Sequence, residues 1–127
     1  MGNTVGVYTF TYYVKNAAGT SSAPKTVTLT VNPVATDKSV TILHGLPGTT
    51  NVGTNDIPTT GMTYSLGAKP STTVCSSLTV TIYATTGFVS FRSSADATGT
   101  CTIPYSLSKT VPSTTVSATA NLIIKVT

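Results

Sequence analysis

The chain has 127 residues, enough for one domain with a partial neighbour and a buried core. Its hydrophobic fraction of 39% excludes a disordered tail, and no apolar run approaches the roughly 18 residues that a membrane span requires. Seven Lys and Arg against three Asp give a net charge of +4, but the basic residues are scattered singly. Phosphate binders cluster them on one face, so nucleic acid is not an expected partner.

There is no Glu, Gln or Trp, whereas 29 residues are Thr. Thr is β-branched and polar, so it suits the water-facing side of a strand and disfavours helix. The composition predicts an all-β protein.

Residues 1–15 lack a basic start followed by an apolar core and do not read as a secretory signal. Any export signal is expected outside this sequence, with Met1-Gly2 read as a remnant of cloning. From Gly6 the string GVYTFTYYVK alternates with period two, the mark of a half-buried strand. Tyr8, Phe10, Tyr12 and Val14 share one face, and Thr9, Thr11, Tyr13 and Lys15 the other. Asn16-Ala17-Ala18-Gly19 supplies turn chemistry. Val27, Leu29 and Val31 then alternate with Thr26, Thr28 and Thr30, which predicts an antiparallel hairpin over 6–31. Asn32-Pro33 ends it, because proline has no amide for a ladder and restricts the residue before it. The reading places a domain boundary there, dividing the chain into 1–33 and 34–127.

A strand is expected over 38–43 with Val40 and Ile42 inward. Residues 44–61 are rich in Gly, Pro, Thr and Asn and read as a loop, with at most a short irregular strand near Ile57. A strand over 62–66 follows, and another from Leu78, where Leu78, Val80 and Ile82 alternate with Thr79, Thr81 and Tyr83. Thr85-Thr86-Gly87 turns into a short strand over 87–92, carrying either Phe88 or the pair Val89 and Phe91 inward. Residues 93–99 read as a loop.

Gly99 then opens a second version of the first hairpin: GTCTIPYSLS, a longer turn, then ANLIIKV. Tyr12 corresponds to Tyr105 and Val31 to Val126, offsets of 93 and 95 residues, so the copies differ mainly by two extra residues in the second turn. Cys101, Ile103, Tyr105 and Leu107 point inward, as do Leu122, Ile124 and Val126. Pro104 takes the place of Thr11. Proline there requires either a local irregularity or a neighbouring strand that begins after it. The fold class is all-β: an immunoglobulin-like antiparallel β-sandwich of about seven strands over 34–127, preceded by an extra hairpin. A chain that closes a domain twice but has room for one reads as cut from a tandem array. The first hairpin is too small to be stable alone in water. Its apolar face is expected to pack on the following domain or to be exchanged between chains in a strand-exchanged homodimer.

The string Gly-x-Tyr-x-Phe-x-Tyr-x-Val, a Gly turn, then Thr-Val-Thr-Leu-Thr-Val-Asn-Pro resembles the closing hairpin of bacterial immunoglobulin-like and cadherin-like surface repeats. The resemblance is clear over 6–33, fair over 99–127 and thin between them. It implies a core Tyr that anchors the corner of the sandwich, a role carried to Tyr12 and Tyr105. It also implies a place in long secreted adhesins and cell-wall proteins, where many copies act as stalk segments and some carry ligand sites. The calcium-binding branch uses acidic clusters at its joints; here Asp37 stands alone near Pro33, so no metal or other cofactor is expected.

Cys75 and Cys101 are the strongest chemical pair, since facing strands of a sandwich can bring two Cβ atoms within disulfide reach. A disulfide would place the protein in an oxidising compartment, at the cell surface or outside the cell. His44, the sole histidine, shares its loop with Asp56, but no nucleophile elbow accompanies them. Three scattered Asp without Glu do not suit the paired carboxylates of a glycosidase. The chain is therefore expected not to be an enzyme. Tyr13 and Tyr83 point outward and offer flat faces with a hydroxyl. The candidate ligand contacts are His44, Asp56, Tyr13 and Tyr83. The leading expectation is a structural and adhesive repeat whose partners are neighbouring repeats of the same chain. The alternative is a carbohydrate- or protein-binding module, engaging a glycan or a host or cell-surface protein through 44–61 and 93–99 at one end.

Overall fold

The structure is a computed structural model that describes residues 4–94 and 96–127. Residues 1–3, which include Met1-Gly2 and begin the 1–33 unit, and Ala95 of the 93–99 loop lie outside the described residues. In chain order the strands are β1 (Gly6–Tyr12), β2 (Lys25–Val31), β3 (Lys38–Ile42), β4 (Pro47–Asn51), β5 (Thr63–Leu66), β6 (Leu78–Ile82), β7 (Phe88–Ser93), β8 (Gly99–Val111) and β9 (Thr114–Val126). A 3-10 turn (Val52–Asn55) follows β4, and a single-turn helix α1 (Thr73–Ser77) precedes β6.

The strands β3 to β9 form a two-layer sandwich: a four-stranded sheet in the order β3-β9-β8-β5 and a three-stranded sheet in the order β4-β7-β6. Counted from β3, the third, sixth and seventh strands share one sheet and the second, fourth and fifth the other. That is the partition of an immunoglobulin-like sandwich. The first strand joins the sheet of the last and runs parallel to it, with Lys38 opposite Leu122 and Ile42 opposite Val126.

The period-two residues fill the core as the pattern dictates. From the larger sheet come Tyr64, Cys101, Ile103, Tyr105, Leu107, Leu122, Ile124 and Val126, and from the smaller Leu78, Val89 and Phe91, all buried. Val89 and Phe91 are thus the inward pair of β7, and Phe88 faces out. Val40, Ile42, Val80 and Ile82 are half-buried and pack against the same cluster. Pro104 is accommodated by the second of its two options. Pairing of β5 with β8 starts at Tyr105 opposite Leu66, and beyond it Gly67 N–H donates to the Pro104 carbonyl. The missing amide therefore falls where β5 has ended.

Three expectations are corrected. Residues 44–61 are not a plain loop: they contain β4 and the 3-10 turn. The sequence PGTTN has no large apolar residue to alternate, so the strand is silent. Its place depends on Gly48, where a Cβ would lie 2.5 Å from the Phe91 ring and 2.6 Å from Ile42. The long turn of the second hairpin is also strand: β8 and β9 pair out to Val111 opposite Thr114, leaving only Pro112 and Ser113 to reverse the chain. Val116, Ala118 and Ala120 do alternate inward there, but small side chains among Ser and Thr resemble loop composition. Finally, a sandwich without helix gains α1, whose Thr72 side chain caps the Cys75 amide.

The first hairpin is a separate two-stranded sheet. Its register matches the second pair by pair: Gly6 lies opposite Val31 as Gly99 lies opposite Val126, Tyr8 and Leu29 match Cys101 and Ile124, and Tyr12 and Lys25 match Tyr105 and Ala120. Gly6 and Gly99 even share a positive φ, 149° and 133°, which favours glycine in both. Only the base of the hairpin meets the sandwich, where Val5 is buried and a Cβ on Gly6 would lie 3.1 Å from Val111. Its apolar face is uncovered, with Phe10 57% and Leu29 54% exposed. Tyr12, expected as a core anchor, is half exposed for the same reason: none of the described residues covers it.

Candidate functional site

Cys75 and Cys101 form a disulfide with a Cα–Cα distance of 5.1 Å, within the ordinary range. α1 sets Cys75 over β8, and both residues are buried. The bond therefore ties the connection before β6 to the centre of the larger sheet, and exposes no thiol for chemistry.

Tyr105 joins two loop segments through its hydroxyl. Its hydroxyl lies 2.6 Å from the Thr36 carbonyl and 2.9 Å from Asp56 Oδ1, and Oδ1 also accepts from Thr36 N–H at 2.9 Å. Asp56 is 1% exposed, so it does not stand on the outer face of its loop as a ligand contact. Burial pushes its carboxyl above the usual carboxylate range, against the opposing pull of the Thr36 amide and the Tyr105 hydroxyl. A phenol has one hydrogen, so ionised Asp56 and the Thr36 carbonyl must share it. Protonated Asp56 can donate to Tyr105, which then donates to Thr36, and every bond is made. Burial likewise pushes the Tyr105 hydroxyl well up, with the Asp56 bond and charge adding to it.

The remaining candidates do not converge. His44 lies at the end of β3, where its Nδ1 is 3.0 Å from the Thr127 carbonyl. Gly45 beside it donates to Ser93 Oγ. The 93–99 loop shares that end. β4 crosses the sandwich and carries 51–61 to the opposite end, so the two halves of the expected ligand loop are separated. Tyr13 stands on the first hairpin with Lys15 Nζ 5.9 Å from its ring centre. Tyr83 is exposed at the end away from His44, at the turn joining β6 to β7. Among the described residues no three His, Cys, Asp or Glu side chains gather as a metal site would require.

Sequence comparisons give no match: neither a protein-family model nor a curated protein sequence matches the chain. Among solved structures, the chain is similar to a nucleoside hydrolase-related hypothetical protein from Saccharophagus degradans associated with carbohydrate metabolism. The TM-score is 0.55 and the identity 14%, over 76% of this chain and 26% of that one. The chain thus spans about a quarter of that structure, and the likeness is one of fold. The EC1-2 fragment of human protocadherin-24 aligns over 98% of this chain and 67% of its own length, at 16% identity and a TM-score of 0.49.

Sequence reasoning missed the surroundings of Tyr83. Phe88 packs beside it, with ring centroids 5.7 Å apart and planes tilted by 56°. With Asn51 and Thr86 the two rings line a shallow hollow of about 420 Å³. The signal was present as two aromatics flanking a Gly turn. Asn51 was hidden because β4 was silent.

Proposed function

We propose that this chain is a non-catalytic structural module of a secreted or cell-surface bacterial protein built from tandem repeats, in which each sandwich sets spacing and transmits tension. The observation that supports it is the parallel pairing of β3 with β9. The chain enters the sandwich at the start of β3 and leaves at the end of β9. In a parallel pair those two points lie at opposite ends. A pull along the chain therefore loads the five paired positions from Lys38 to Ile42 in shear, and they must yield together rather than unzip singly. Resistance to force follows the unfolding barrier, which such a clamp raises. The Cys75–Cys101 bond holds the intervening segment closed, and a disulfide persists in oxidising compartments. Neighbouring repeats of the same chain are the partners in this reading, and the duplicated hairpin is their trace.

Single-molecule pulling tests it. The Ile42 carbonyl accepts from Thr127 N–H, so by alternation the Val40 amide faces β9 and the Thr41 amide faces away. Val40→Pro is expected to lower the peak unfolding force clearly and Thr41→Pro much less. Equal, small effects would show that β3 and β9 do not form the resisting element.

A further inference from the structure

We infer that the hollow beside Tyr83 is a binding site for neutral carbohydrate, with the Tyr83 ring as its stacking face. Tyr83 is 57% exposed and Phe88 38%, and their tilted contact leaves Tyr83 as the open face and Phe88 as its support. The turn beneath is fixed: Tyr83 N–H donates to the Phe88 carbonyl, and the Thr86 and Gly87 amides both donate to the Tyr83 carbonyl. A ring already held in place loses little freedom on binding.

The hollow is mainly apolar, and its few polar groups, on Asn51 and Thr86, stand where the rim of a polyhydroxyl ligand would lie. The hollow shares Asn51 and Thr86 with an adjoining depression of about 330 Å³ that continues over Gly53 toward Thr59 and Thr60. Asn51 Oδ1 is taken by the Gly53 amide at 2.8 Å, which leaves the Nδ2 donors for a ligand. Among the described residues no charged side chain lines either depression; Lys38 reaches the lining Thr54 Oγ1 at 3.3 Å from outside them. A pyranose presents an apolar C–H face to one aromatic ring and hydroxyls around its rim, which is the pattern offered. A nucleotide would stack as well, but among the described residues no charged side chain lines the hollow to receive its phosphate. Cross-strand packing accounts for the contact between Tyr83 and Phe88. It does not account for an open aromatic face bordered by small hydroxyl and amide groups.

The site is independent of the β3–β9 clamp, so either reading can fail alone. The test is an amide NMR titration of the folded protein with neutral cello-, xylo- and manno-oligosaccharides, and with an oligogalacturonate as the anionic comparator. At least one neutral oligosaccharide is expected to shift Asn51, Gly53, Tyr83 and Thr86 saturably. Tyr83→Ala should weaken that binding by roughly tenfold or more without changing the melting temperature, and Tyr83→Trp should retain it. Absence of shifts with every neutral oligosaccharide, shifts with the oligogalacturonate alone, or binding that survives Tyr83→Ala would each overturn the assignment.

Discussion

Asp56 is a buried carboxylate whose proton decides how many hydrogen bonds the Tyr105 corner can complete. Because burial raises its pKa in the folded state, the folded protein binds that proton more tightly than the unfolded chain does. The stability this contributes is fully present below the ordinary carboxyl value of 3.8 and is lost as pH rises through the elevated folded value. Denaturant midpoints of the wild type, measured against Asp56→Asn across that acidic range, should therefore fall relative to the variant as pH increases. Tyr105→Phe leaves Asp56 and the Thr36 carbonyl without a shared donor and is expected to cost about 1–3 kcal/mol in the same assay. The inward position of Tyr105 was legible in the alternation of β8, while its corner role came only from the resemblance to surface repeats. The inward position of Asp56 was not legible. Gly, Thr and Pro around it have the composition of a solvated loop, and only the 3-10 turn after β4 rotates it inward. Tyr64 was missed for a similar reason: its hydroxyl is buried without a partner among the described residues, and no sequence pattern marks such a group.

At the scale of elements, large alternating side chains made β6, β7 and both hairpins legible, and small or polar ones concealed β4 and the outer halves of β8 and β9. α1 was concealed because five residues are too few for a helical period. It forms because Thr72 caps it and the disulfide holds it against β8. Replacing both cysteines by Ala removes the loop closure and should lower stability by about 3 kcal/mol in the chain-entropy account. Equilibrium unfolding of the oxidised wild type beside the double variant measures the difference, and equal midpoints would mean that the bond contributes nothing to the fold. Pro104 shows the limit from the other side. A residue that looked like a defect in a strand is harmless, because pairing on that side of β8 stops one residue short of it.

The whole molecule is one closed sandwich joined to a duplicate of its own closing hairpin. The two hairpins share register, the glycine at the base and alternation, yet the first lacks the second sheet that buries Ile103, Tyr105 and Ile124 in the other. The sequence announced the duplication plainly. It could not announce where the first copy's apolar face would lie, because alternation defines a face without naming its cover. Amide hydrogen exchange compares the copies within one sample. Slow exchange is expected for the paired amides of β8 and β9, and exchange faster by orders of magnitude for those of β1 and β2, which match them pair by pair. Comparable protection of both hairpins in the monomeric protein would contradict that expectation.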